Sequence, residues 1–204
     1  KRSAVPMQNI VLPSILFFSS WVYAQPDDWR QSVFKVVSHP CHATYPQYEG
    51  SGVLVSFEGT AMVVSSEHTL LASDQWKACY FAIDSEGRRL GLEMIENDFS
   101  HGLAALDIAD DPLGIGNRKA LKISSLKKGD PIMAAGFPAG EKQLRVLRQG
   151  NLVSTSGQRA FLPSVNSLIE TNQLPVEFGM SGGGLLTFKK GEAFLAGILT
   201  HQYL

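Results

Sequence analysis

The sequence predicts an all-β fold, either a sandwich or a pair of barrels. After residue 25 no stretch sustains helical periodicity over several turns. Short apolar runs recur at close spacing instead, and Gly, Asp and Asn punctuate them. A hydrophobic content of 44% over 204 residues is ample for one compact unit or two small ones sharing a core.

The N-terminus has the order of a secretory leader. Lys1-Arg2 is basic, residues 10–23 are mostly apolar, and Val22-Tyr23-Ala24 offers small residues where cleavage needs them. Pro13 and three serines, Ser14, Ser19 and Ser20, interrupt the apolar run and argue against a spanning helix, so residues 1–24 are expected to be a cleaved signal peptide. Export to a bacterial periplasm or outside the cell follows from that expectation.

The mature part begins its clearest strand at Gly52-Val53-Leu54-Val55, turns at Glu58-Gly59 and returns through Ala61-Met62-Val63-Val64. Ser65-Ser66-Glu67 then leads into His68, just past a strand expected to be buried. Residues 78–83 and 89–95 read as a further pair around Asp84-Ser85-Glu86-Gly87. Leu103-Ala104-Ala105-Leu106 is a short strand. Residues 110–119 are polar and rich in Gly and Pro, which makes them the linker between an N-terminal unit, 25–110, and a C-terminal unit, 111–204. Strands resume at Ile132-Met133-Ala134-Ala135, and residues 185–188 and 194–199 close a hairpin over Lys190-Gly191.

A net charge of −1 with no basic stripe or acidic block gives no basis for nucleic acid or an anionic membrane surface. Two cysteines, Cys41 and Cys79, permit one intramolecular disulfide in an exported protein, with free thiols as the alternative. His39-Pro40-Cys41-His42 has no second ligand cluster, so it reads as a surface turn and no metal is expected.

Chemistry concentrates at Gly179-Met180-Ser181-Gly182-Gly183-Gly184. Glycines around a serine allow a tight turn that brings backbone N–H groups close to a substrate carbonyl. Taken alone the motif is as well explained by a turn between strands. It gains meaning from three other segments in order: Gly50-Ser51-Gly52-Val53, Ser65-Ser66-Glu67-His68, and Gly129-Asp130-Pro131 running to Gly136-Phe137-Pro138-Ala139-Gly140. Together they resemble the chymotrypsin-type serine peptidases, most closely the bacterial HtrA-like branch.

The resemblance implies two antiparallel β-barrels, His68 and Ser181 as catalytic residues, and an oxyanion hole from the Gly179 and Ser181 amides. It implies Thr200, His201 and Gln202 along the substrate strand, a protein or peptide substrate, and no cofactor. The second barrel reads as truncated, because the family carries a further strand where this chain stops. Pro175 stands six residues before Ser181, where trypsin-like digestive enzymes carry a carboxylate, so cleavage after Lys or Arg is not expected.

One departure matters. The family's triad aspartate opens a run that here reads Gly102-Leu103-Ala104-Ala105-Leu106, with glycine at its place. That carboxylate fixes the histidine tautomer and stabilises the imidazolium; its replacement by an amide in trypsin lowers turnover by about 10⁴. Asp74, Asp98, Asp107 and His101 are the nearby alternatives. The readings are a serine endopeptidase impaired at one position and an inactive homologue kept as a protein-binding module. An unrelated adhesin-like sandwich would explain the strands but not the ordered motifs.

Overall fold

The computed structural model describes residues 27–43, 48–70, 77–98, 102–111, 114, 118–127, 129–154, 170–172 and 176–200. The leader expected at 1–24 lies outside them. A short 3₁₀ turn, η1 (Asp27–Ser32), precedes six strands: β1 (Val33–Pro40), β2 (Tyr48–Phe57), β3 (Thr60–Ser66), β4 (Ala78–Ile83), β5 (Arg89–Asp98) and β6 (Leu103–Asp110). They close into an antiparallel barrel of order β1-β2-β3-β6-β5-β4. A 3₁₀ turn, η2 (Glu67–Thr69), follows β3 directly.

The second half holds β7 (Lys122–Ile123), β8 (Pro131–Gly136), β9 (Arg145–Ser154), β10 (Glu170–Asn172), β11 (Gly184–Lys189) and β12 (Glu192–Ile198). They form a six-stranded sheet of order β10-β9-β8-β11-β12-β7. Its pairings are antiparallel except that β7 runs parallel to β12. This is the all-β, two-unit chymotrypsin-type architecture that the resemblance implies.

Alternation along the strands builds two cores. Phe34, Val36, Leu54, Val63, Leu90 and Leu106 fill the barrel. Val33, Val53 and Val55 point the other way and pack with Met133, Phe137 and Leu186 of the second unit. The runs in β1 and β2 are therefore apolar without alternation because both faces are covered, one by the barrel interior and one by the neighbouring unit. The units are also tied through backbone: Leu121 N–H donates to Leu54 O at 2.9 Å, and Ser56 N–H to Leu121 O at 3.0 Å.

Two long strands have no counterpart in the sequence analysis. β1 lacks the period-two signal for the reason just given. In β9, Gly150-Asn151 reads as a turn, yet Gly150 pairs with Ile132, and the register shifts between Ile132 and Ala134. The glycine sits beside a bulge within a strand rather than at its end.

Cys41 and Cys79 form a disulfide between the end of β1 and the start of β4, with Cα atoms 5.0 Å apart. The Asp84 turn between β4 and β5 is locked by its own carboxylate. Oδ1 accepts the Glu86 and Arg88 N–H groups, both at 2.9 Å. Oδ2 accepts Arg88 Nε at 2.8 Å and Arg118 Nη2 at 2.7 Å. Burial pushes this carboxyl up, but the bonds from Arg88, Arg118 and Glu86 outweigh it and hold its pKa below the ordinary 3.8.

A carboxyl depressed in the folded state stabilises the fold above its unfolded pKa and loses that contribution as pH falls through the lower folded value. Asp84→Ala is expected to cost about 3 kcal/mol at pH 7, since it leaves two guanidinium groups without their shared partner. Urea unfolding of both proteins at neutral and strongly acid pH checks this. The difference should shrink toward acid, and an equal difference at both pH values would contradict the assignment.

Candidate functional site

The site is built where the end of β3 meets the glycine turn before β11. Antiparallel pairing of β3 with β6 sets Ser66 opposite Leu103, so Gly102 stands beside the turn that carries His68. Glu67 N–H donates to Gly102 O at 3.0 Å and closes that corner. His68 is exposed on η2, while Ser65, Ser66 and Thr69 around it are buried.

Two routes of contact join the His68 corner to Ser181. The first is a chain of buried hydroxyls. Thr69 Oγ1 lies 3.2 Å from Ser65 Oγ, which donates to Ser51 O at 2.6 Å. Ser51 N–H in turn donates to Ser181 O at 2.7 Å. The second route runs past Thr200. Ser181 Oγ reaches Thr200 O at 3.4 Å, a long contact, and a Cβ built on Gly102 would find Thr200 Cγ2 at 4.0 Å. The structure thus brings His68, Gly102, Ser181 and Thr200 to one place between the two units. His201 and Gln202 lie outside the described residues.

Ser51 deserves its burial energetically because none of its polar groups is wasted. Its hydroxyl accepts Phe137 N–H at 2.8 Å and donates to Gly179 O at 3.2 Å. One β2 residue thereby fixes both turns of the second unit that face the site. Gly182 lies against the same residue: its φ is +86°, and a Cβ there would overlap the Ser51 carbonyl oxygen. Only glycine meets both conditions.

The turn also orients two amides. Phe178 O accepts Ala139 N–H at 2.8 Å, and Met180 O accepts Gly183 N–H at 2.9 Å. No peptide bond among the described residues is cis, so each trans peptide sends its N–H, that of Gly179 and that of Ser181, away from the donor its carbonyl has engaged. Neither N–H has an acceptor among the described residues. Met180 is fully buried and anchors the turn from below, while Phe178 is 89% exposed beside it. Glu177 is exposed and lies 3.5 Å from Arg145 Nε.

The carboxylates considered for the missing aspartate separate by register. Asp107 pairs with Glu93, is exposed, and accepts its neighbour's Ile108 N–H at 2.8 Å. It lies four residues along β6 from Leu103, about 13 Å away at strand rise, so it is not the substitute. Asp98 pairs with Leu103, on the strand next to β6 and at the His68 end. Asp74 and His101 lie outside the described residues.

The residues that sequence reasoning missed are hydroxyls: Ser51, Ser65, Ser66 and Thr69. Ser66 Oγ lies 2.8 Å from His68 Nδ1. Their signal in the sequence was their smallness among glycines and valines, which marks a close approach without naming its partner.

Comparison with known proteins adds the following. The family model described as a trypsin-like peptidase domain matches residues 50–198. The fold is similar to that of a serine-to-alanine mutant of Rv3671c from M. tuberculosis H37Rv in its inactive form, at 17% identity and TM-score 0.63, covering 89% of this chain and 80% of that one. It is also similar to a serine endoprotease from Yersinia pestis, at 20% identity and TM-score 0.62, covering 87% of this chain and 56% of that one. A third similar structure is the HtrA-type protease AlgW with a tripeptide, at 21% identity and TM-score 0.63, covering 84% and 51%. The chain therefore spans about half the length of the latter two. No curated protein sequence matches it significantly.

Proposed function

We propose, for a chain that belongs to the trypsin-like peptidase domain family, that it hydrolyses peptide bonds as a serine endopeptidase. The observation that carries this reading is the convergence of Ser181 with the His68 corner, beside two amides whose carbonyls are engaged elsewhere. Ser181 Oγ attacks the scissile carbonyl while His68 Nε2 takes its proton. The Gly179 and Ser181 N–H groups receive the developing oxyanion. His68 returns the proton to the leaving amine, and water then releases the acyl group by the reverse roles. The substrate is a protein or peptide that lies along Thr200, and cleavage after Lys or Arg is not favoured.

A second reading rests on Gly102: a homologue that keeps the cleft for binding and hydrolyses little. Residual catalysis without a triad member is about 10³–10⁴-fold over water in related enzymes, so the two readings differ measurably. The disulfide is compatible with export to an oxidising compartment, which the leader-like N-terminus also suggests. No helix among the described residues is long and apolar enough to cross a membrane.

Release of fluorescent peptides from labelled casein tests the enzymatic reading. Slow hydrolysis is expected from the purified protein, and Ser181→Ala and His68→Ala should each abolish it. Hydrolysis that survives both substitutions, or none from folded wild type after prolonged incubation, would favour the binding module.

A further inference from the structure

The hydroxyl at Ser66 has a place that the trypsin-like pattern does not account for. Ser66 ends β3, is 0% exposed, and lies between two polar neighbours. Its Oγ is 2.8 Å from His68 Nδ1 and donates toward Gly102 O at 3.4 Å. A hydroxyl has one proton and two lone pairs, whereas a carbonyl can only accept. Two arrangements satisfy this hydroxyl: its proton goes to Nδ1 and the ring proton sits on Nε2, or its proton goes to Gly102 O, a lone pair of Ser66 Oγ faces His68 Nδ1 and the ring nitrogen donates; the second uses both of its neighbours. In that second arrangement the ring proton sits on Nδ1, and Nε2 keeps its lone pair.

We infer that Ser66 is the positioning residue of His68, linking the Gly102 main-chain carbonyl to Nδ1 through its hydroxyl. The backbone at the position where the family carries a carboxylate thus does part of that carboxylate's work. The carbonyl is held for the task, since it also accepts Glu67 N–H at 3.0 Å. The arrangement is neutral. It orients the ring and selects the tautomer, but brings no negative charge to the imidazolium that forms when Ser181 loses its proton. The inference rests on the reading of His68 as the base only for its effect on rate. The tautomer is a property of the resting protein.

The test is ¹⁵N NMR of protein with labelled imidazole nitrogens, at a pH where His68 is neutral. The chain has five histidines, so His68→Gln assigns the signal. Wild type should be protonated at Nδ1. Ser66→Ala should move the population toward protonation at Nε2, and Ser66→Thr should restore it. In hydrolysis, Ser66→Ala should lower kcat about tenfold with KM unchanged, the worth of one neutral hydrogen bond.

In a Gly102→Asp background the same substitution should change kcat less than about twofold, because the carboxylate then takes Nδ1 and the two changes do not add. Wild-type His68 protonated at Nε2 would overturn the inference, and that reading requires only the assignment variant His68→Gln, at an exposed position, to fold. So would a tautomer that Asp98→Asn moves and Ser66→Ala does not. An Nδ1-protonated His68 that depends on Ser66, in a protein that hydrolyses nothing, would leave this inference standing and remove the enzymatic reading.

Discussion

Gly102→Asp is expected to raise kcat/KM for peptide hydrolysis by about 10²–10⁴-fold, up to the factor that losing the triad carboxylate's charge costs in trypsin. Among the described residues, a Cβ on Gly102 meets nothing nearer than Thr200 Cγ2 at 4.0 Å. The side chain starts beside Thr200, one residue's backbone away from the carbonyl that Ser66 Oγ contacts at 3.4 Å. It supplies the negative charge that a hydroxyl and a carbonyl lack. The backbone resists, because φ at this position is +68° and a side chain in the left-handed region costs about 1–2 kcal/mol. Aspartate is among the residues that tolerate that region best. The variant should therefore be faster and less stable, a pairing that steady-state kinetics and a thermal melt would read together. An unchanged rate in a folded variant would place the orienting carboxylate elsewhere, with Asp98 first to test.

Loss of the Cys41–Cys79 bridge is the second large effect. The two residues are 38 apart, and the closed loop contains β2, β3 and η2 with His68. Releasing a loop of that length returns about 4 kcal/mol of conformational freedom to the unfolded chain in the loop-entropy account. The paired substitution Cys41→Ser with Cys79→Ser is expected to lower the melting temperature by about 10 °C, at a few degrees per kcal/mol for a chain of this size. Activity per folded molecule should stay within twofold, because the bridge lies at the β1–β4 edge, whereas His68 and Ser181 are positioned by β3 and the glycine turn. A melting temperature insensitive to both substitution and reductant would contradict a structural role.

Much of this site is legible in the linear chain, and the legible parts share a physical cause. The bed around Ser181 is glycine because backbone approaches too closely for a Cβ, Ser51 at Gly182, Ala139 at Gly179 and Ala135 at Gly183, and such a constraint writes itself locally. The strand before His68 announces itself through Val63 and Val64, and the Asp84 turn through its turn residues. Ser66 illustrates what is not legible. In sequence it is one of two serines leading out of a strand, indistinguishable from a solvated turn. Its role depends on β6 pairing with β3 in the register that sets Leu103 against it, a contact 37 positions away. Ser51 is hidden for the same reason, since its two hydroxyl bonds reach Phe137 and Gly179 in the other unit. β1 escaped because burial on both faces erases the alternation by which a strand is usually read.

Gly102 shows the converse. The sequence reveals the departure plainly, yet the consequence turns on what occupies the space, and the structure offers Ser66 and the Gly102 carbonyl where a carboxylate would stand.

Covalent trapping asks whether Ser181 is a nucleophile activated by His68. Purified protein is reacted with a fluorophosphonate, and the adduct is located by mass spectrometry. The expected result is one adduct per chain on the peptide that contains Ser181, absent from Ser181→Ala and formed more slowly in His68→Ala. Folded wild-type protein that stays unmodified, or an adduct on another residue, would contradict it.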